Sequence, residues 1–303
     1  MAPLKSSVLV ICGPTAVGKT QVALELAQKM DTEIISFDAR QFYRELAIGA
    51  APPSLQQRQA VPHHFIADRS VTSPLSAGVY AREARPVLEE LLQRKGSALL
   101  VGGSGLYLKA LLYGLDEMPA VPEELRQELR EEYSSRGLDT LREELREQDP
   151  AYFQQVDQKN PQRILRALEV IRASGQAFSS FKRSEAPSSK YFQTYLAGLY
   201  RPREELYQRI HQRIDTMLRE GLLEEVRQLL PYRGYQALQT VGYRELFRYL
   251  DQEISWEEAL RLLQRNTRRY AKRQITWFKR ESELHWFPAN DSSALHHQLF
   301  TGC

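Results

Sequence analysis

A short apolar run, Val8-Leu9-Val10-Ile11-Cys12, leads directly into Gly13-Pro14-Thr15-Ala16-Val17-Gly18-Lys19-Thr20. These eight residues match G-x-x-x-x-G-K-[ST] in the setting its mechanism requires, between a buried strand and an amphipathic helix. Glycines let backbone amides close around phosphate oxygens, and the helix N-terminus adds partial positive charge. Lys19 supplies a full charge, and the Thr20 hydroxyl is placed to hold Mg²⁺. Such a feature commits the chain to a layered α/β arrangement with an anion site at the C-terminal end of a strand. The loop alone leaves open whether the ligand is a nucleotide or another diphosphate.

The rest of the pattern agrees. Val22, Ala23, Leu26, Ala27 and Met30 recur at helical spacing and predict a helix over 19–30, followed by a strand over 33–37. A second strand-loop-helix unit is expected from the strand 97–101, the loop Gly102-Gly103-Ser104-Gly105 and the helix 106–112. This alternation predicts a doubly wound parallel sheet. Texture changes at Met118-Pro119-Ala120-Val121-Pro122, which opens a charged helix-forming run over 123–136. A later helix has Asn160 as N-cap, Pro161 at its first position and the stripe Leu165, Leu168, Ile171, ending at Ser174-Gly175. Residues 179–189 are polar and predict a linker. A core strand is then expected over 195–199, and one amphipathic helix carries Leu206, Ile210, Ile214, Met217, Leu218 and Val226. The expected organisation is a core formed by 1–116 and 190–303, with a helical insertion over 117–189.

Composition excludes several classes. Hydrophobic residues make up 42% and charged residues 26%, as in a folded water-soluble protein. No apolar run approaches the roughly 18 residues needed to span a bilayer, and no signal-peptide pattern is visible, so no membrane association is expected. With only 2 cysteines there is no disulfide framework or zinc quartet, which fits a reducing cytoplasm. His63-His64 lacks further ligands at metal spacing and is expected to form hydrogen bonds, as are His296-His297 near Cys303. The formal net charge is only +3, yet its distribution is dipolar. Residues 261–280 carry Arg261, Arg265, Arg268, Arg269, Lys272, Arg273, Lys279 and Arg280 with no acid, whereas 117–149 is strongly acidic. A basic run interleaved with Tyr270, Trp277 and Phe278 suits a phosphate backbone with splayed bases, and equally an exposed helix face.

Beyond the second strand lies Ser36-Phe37-Asp38-Ala39-Arg40-Gln41-Phe42-Tyr43, at the strand edge where open sheets bind ligands. Asp38 there is suited to holding Mg²⁺, accepting a proton from an attacking nucleophile, or capping a helix. The third strand ends in glycines, without the metal-holding carboxylate of many nucleotide hydrolases, which weighs against an ATPase.

Taken with Pro62-His63-His64, Val101 to Tyr107, Asn160 to Arg166, Val241 to Arg244 and Lys272 to Trp277, these segments run in order along nearly the whole chain. The sequence thereby resembles the bacterial tRNA dimethylallyltransferase family. The resemblance implies a P-loop NTPase-like parallel core flanked by helices, with an inserted all-helical domain that grips the anticodon stem-loop. It implies transfer of a dimethylallyl group from dimethylallyl diphosphate to the exocyclic N6 amine of the adenine 3′ to the anticodon in tRNA, with Mg²⁺ as cofactor. Residues Gly13, Pro14, Thr15, Ala16, Val17, Gly18, Lys19 and Thr20 would then hold diphosphate, with Thr20 on the metal. Thr15, Lys19 and Arg213 would stabilise the leaving group, and Asp38 would be the general base. Implied contacts to tRNA are Asp38, Ala39, Arg40, Gln41, Ser104, Arg126, Gln162, Arg163, Ile164, Leu165, Arg166, Gln239, Thr240, Val241, Gly242, Tyr243, Arg244, Lys272, Arg273 and Gln274. A monomer is expected. Because the insertion is acidic, Arg126, Arg163 and Arg166 are expected to form a local basic face with the carboxylates turned outward.

Three positions depart from the family pattern: Phe37 where a small residue is common, Ala39 where serine is common, and Ser104 where threonine is common. Three rivals remain. An enzyme that prenylates free AMP needs neither the insertion nor the basic segment. A small-molecule P-loop kinase predicts phosphate transfer without RNA affinity. A non-catalytic RNA-binding module would use the cradle only as a switch.

Overall fold

A computed structural model describes residues 7–182 and 192–291, together with 293, 295 and 297. The expected roles of His296 and Cys303, and residues 183–189 of the expected linker, lie outside the described residues.

The chain divides into two compact units, one of residues 1–113 and 188–303 and one of residues 114–187. In the larger unit, strands β1 (Ser7–Cys12), β2 (Ile34–Ser36), β3 (His63–His64), β4 (Ser97–Gly102), β5 (Gln193–Tyr200) and β6 (Leu284–Pro288) form one sheet. Its order is β3-β2-β4-β1-β5-β6, and every pairing is parallel. The apolar run of β1 is explained by its central place. Val8, Val10 and Cys12 point into one buried layer and Leu9 and Ile11 into the other, so no position faces water.

Helices α1 (Lys19–Lys29), α2 (Leu55–Ala60), α3 (Ala77–Lys95) and α4 (Gly105–Tyr113) belong to the first half of the unit. Helix α1 begins directly after Gly18, whose φ of 113° suits glycine, and buries Val22, Ala23, Leu24, Leu26 and Ala27. An aromatic cluster supports the turn after β2: Phe42 stacks on Tyr80 at 5.3 Å, and the Tyr80 hydroxyl donates to the Ser36 carbonyl at 2.9 Å.

The smaller unit contains α5 (Glu123–Arg136), α6 (Leu138–Gln148), α7 (Pro150–Phe153) and α8 (Pro161–Ser174) around its own apolar core. Asn160 caps α8, accepting from the Arg163 amide at 3.4 Å. Asp149 is buried, caps α7 and also accepts from Ser179.

After β5 come α9 (Arg203–Arg219), α10 (Leu222–Gln228), α11 (Tyr243–Leu250) and α12 (Trp256–Phe278). The single helix expected through Val226 is in fact two. The chain breaks at Gly221, which adopts φ 101°, and the apolar stripe resumes on α10 with Leu222 and Val226. No described helix is long and apolar enough to cross a membrane.

Candidate active site

The C-terminal ends of β1, β2 and β4 bring three loops together. In the first, Gly13 carries φ 143°, and an added Cβ would meet the Leu199 carbonyl at 2.7 Å. Side chains occupy the outward carbonyls of this loop. Lys19 Nζ donates to Gly13 O at 3.0 Å and Pro14 O at 2.9 Å. Arg209 Nε donates to Ala16 O at 2.8 Å, and Arg201 Nε to Val17 O at 2.7 Å. Arg213 Nη1 reaches Thr15 Oγ1 at 3.3 Å. Burial lowers the pKa of Lys19 to about 8, although Asp38 pulls it upward. Arg213 is likewise held below its ordinary value, chiefly by burial and then by Arg209, with Asp38 opposing. The loop is thus a concentration of cations around a backbone cradle.

The second loop carries Asp38. Its Oδ1 accepts from the Arg40 amide at 3.2 Å, forming a local turn, so the helix-cap alternative is discarded. Ser104 Oγ accepts from the Ala39 amide at 3.0 Å, and Ser36 Oγ from the Asp38 amide at 3.3 Å. The departures from the family pattern have simple accommodations. Phe37 is fully buried over Gly102, and Ser104 retains the hydroxyl that braces Ala39. Arg40 donates to Gly49 O at 2.8 Å and lies over the Tyr243 ring at 5.9 Å. Glu225 pins the facing turn, accepting from the Ile48 amide at 2.7 Å, the Gly49 amide at 3.0 Å and the Tyr243 hydroxyl at 2.7 Å.

The third loop leaves β4. Added Cβ atoms at Gly103 and Gly105 would overlap the side chains of Gln274 and Trp277 on α12.

The first two of these loops border one pocket. Its polar end is Thr15, Asp38, Arg40 and Arg213, and its apolar wall includes Ile210, Ile214, Met217, Leu222, Val241 and Leu263. Tyr270 also lines it, its pKa pushed up to about 12 by burial and then by the Asp38 charge. Of the residues the sequence reading places at the site, Thr15, Ala16, Asp38, Arg40, Arg213, Val241 and Gly242 line this pocket, whereas Gly13, Pro14, Val17, Gly18, Lys19, Thr20, Ala39 and Gln41 do not. That reading missed the rest of the apolar wall, Glu225 and the bracing arginines Arg201 and Arg209, and it had Tyr270 only as an aromatic within the basic run. The stripe on α9 was visible, but its spacing is the same for a core and for a pocket wall.

The residues 41–281 match the IPP transferase family. That match spans most of the chain. The chain belongs to this family. It is 45% identical to a tRNA dimethylallyltransferase of Cytophaga hutchinsonii, covering 95% of this chain and 94% of the relative. It is also 45% identical to the tRNA dimethylallyltransferase of Salinibacter ruber, with coverages of 95% and 89%. Among solved structures, the full-length tRNA isopentenylpyrophosphate transferase from Bacillus halodurans superposes with a TM-score of 0.71 at 34% identity, covering 98% of this chain and 96% of that one. A eukaryotic dimethylallyltransferase acting on tRNA shares the fold, with a TM-score of 0.80 at 24% identity and coverages of 98% and 79%.

Two further sets of sequence-predicted residues lie on α12 and in the smaller unit. On α12, Arg269, Lys272 and Arg273 are exposed, and none of the three has an acidic partner among the described residues. Within the smaller unit Gln162 and Arg163 are exposed. Here the expected basic face is corrected, because Glu169 lies between its arginines, 3.0 Å from Arg166 and 3.8 Å from Arg126. Three expected RNA contacts are also corrected at the level of the side chain. Ile164 and Tyr243 are fully buried and Gln274 is 5% exposed, which leaves their side chains to packing and internal hydrogen bonds. Gln239 is exposed, with its amide donating to Arg233 O at 2.6 Å. Neither His63 nor His64 belongs to a metal cluster among the described residues. His64 Nε2 lies 2.7 Å from Glu33, and His63 Nδ1 lies 2.7 Å from Val61 O.

Proposed function

We propose that the protein transfers the dimethylallyl group of dimethylallyl diphosphate to the N6 amine of the adenine 3′ to the anticodon in tRNA, releasing diphosphate. The observation that carries this reading is one pocket in which Thr15 and Ala16 of the cradle meet Arg40, Arg213, the Asp38 carboxylate and an apolar wall. A nucleotide kinase needs no wall of Ile210, Ile214, Met217, Leu222 and Leu263, whereas a five-carbon isoprenyl tail does.

Adenine N6 is a poor nucleophile, since its lone pair is delocalised into the ring. In this reading Asp38 accepts the N6 proton as nitrogen bonds to the first carbon of the isoprenyl group. The carbon–oxygen bond breaks, and its electron pair leaves with the diphosphate. The Lys19 charge, the Thr15 hydroxyl and Arg213 meet that developing negative charge. The apolar wall keeps water from intercepting the allylic carbon.

The donors at the cradle suit Mg²⁺. Thr15, Thr20 and Asp38 offer hard oxygens, and the described residues hold no cluster of three acidic, histidine or cysteine ligands. That combination fits an ion bound mainly by water and substrate phosphate. Thr20 would hold it, and the bound ion would supply charge neutralisation to the leaving diphosphate.

The exposed basic face of α12 and the side chains of Gln239, Thr240 and Arg244 are read as the tRNA surface of the larger unit. The helical unit formed by residues 114–187 is read as the anticodon stem-loop binder, using Gln162 and Arg163. An extruded base is least costly in a loop, which suits this target. The reading is completed by a monomer acting in the cytoplasm, where its tRNA substrate is found. In Asp38→Ala, single-turnover transfer to an anticodon stem-loop should fall by on the order of 10²–10⁴ with RNA affinity retained. Full activity in that variant would remove Asp38 as the base.

A further inference from the structure

Gln274 lies in the basic segment of α12, directly after the exposed Lys272 and Arg273, yet it is 5% exposed. Its two amide ends face different loops. Oε1 accepts from the Thr15 amide at 2.8 Å, and Nε2 donates to the Gly103 carbonyl at 2.9 Å. The fit is close at Gly103, where an added Cβ would overlap Nε2. The consequences extend one residue further in each direction. Thr15 Oγ1 is the atom that Arg213 reaches, and Ser104, which follows Gly103, accepts from Ala39 beside Asp38.

We infer that Gln274 is a positioning residue for the transfer reaction, fixing the diphosphate cradle and the loop bearing the general base relative to each other from the RNA-facing helix. The inference rests on the transferase reading and adds a residue to its machinery. With its N–H directed to Gln274, the Thr15 amide is not a phosphate donor. Its hydrogen bond sets the backbone from which the Thr15 hydroxyl projects toward the leaving group. The same side chain holds Gly103 and, through Ser104, the turn that carries Asp38. A primary amide offers an acceptor and a donor on one rigid plane. Neither Leu nor Glu at this position meets both loops, because Leu offers nothing and a carboxylate would oppose the Gly103 carbonyl.

The test uses the full-length protein and the variants Gln274→Leu and Gln274→Glu. Three quantities are measured well below the unfolding midpoint: the affinity for inorganic diphosphate with Mg²⁺, the single-turnover transfer rate per active site, and the KM for the anticodon stem-loop. Displacing reacting groups by about 1 Å costs on the order of a hundredfold in rate, so Gln274→Leu should lose tenfold to a hundredfold. Diphosphate should bind several-fold more weakly, and the KM for RNA should stay within about twofold. Gln274→Glu retains the acceptor for Thr15, so its diphosphate affinity should recover toward that of the wild type while its rate stays low. A loss confined to the folded fraction, with diphosphate affinity and rate per active site unchanged, overturns the inference. So does a loss that appears only in the KM for RNA. Should the wild-type protein fail to transfer the isoprenyl group, the functional reading falls while diphosphate affinity still decides whether Gln274 sets the cradle.

Discussion

Two glycine-rich loops leave adjacent parallel strands at the same edge of the sheet, and they use their glycines for opposite ends. The loop after β1 turns its carbonyls outward to Lys19, Arg201 and Arg209 and gathers charge. The loop after β4 gathers none. Its glycines admit Phe37, Gln274 and Trp277, which bring α12 and the Asp38 turn close to the first loop. The same composition thus makes a ligand cradle in one case and a packing joint in the other. What separates them is the cations that converge on the first and the bulky side chains that converge on the second.

This contrast is open to direct attack. The largest effect on activity is expected for Lys19→Ala, which should lower transfer by on the order of a hundredfold to a thousandfold. Its unfolding midpoint should hold, because a lysine whose charge is disfavoured by burial contributes little to stability. Steady-state transfer and thermal unfolding, measured on the same preparation, separate the two. For the packing joint the pattern should invert. Gly105→Ala sets a methyl against Trp277, and overpacking of this kind costs about 1–3 kcal/mol, visible as a shifted denaturant midpoint. If Gly105→Ala were fully stable and Lys19→Ala unfolded, the division of labour between the loops would be wrong. The smallest effect concerns the helical unit. Glu169→Gln removes the carboxylate that Arg166 and Arg126 share, leaving Arg126 on Glu123, and stem-loop affinity should rise by a few-fold at low salt, since ion pairs near the surface are worth only about 0–1 kcal/mol. A filter-binding series across salt concentrations measures this, and an unchanged affinity would remove those arginines from the RNA surface.

Legibility in the sequence followed local chemistry. The strands β1 and β4 and the helix α1 were readable because burial on both faces and a glycine-rich exit leave a local pattern. Strand β3 is two residues long, too short for any period, and α3 contains Pro86, which locally imitates a helix break. In the site, Thr15 and Arg213 are reached only through the resemblance, whereas Asp38 is also marked by its own chemistry. The apolar wall was seen only as a core stripe, because facing a ligand or facing a neighbouring helix leaves the same mark on α9. Gln274 was read with its charged neighbours. Nothing in a linear run of Lys, Arg and Gln reveals that the third residue turns inward to a loop 259 positions away.

If the pocket serves diphosphate, isoprenyl tail and adenine together, one assay reveals it: the purified protein is incubated with Mg²⁺, dimethylallyl diphosphate and a synthetic stem-loop carrying adenines 3′ to the anticodon, with AMP and ATP controls, and product mass is followed. The account predicts a gain of one five-carbon isoprenyl unit on the RNA and none on AMP. Modification of AMP alone, or consumption of ATP with no isoprenyl transfer, would contradict it.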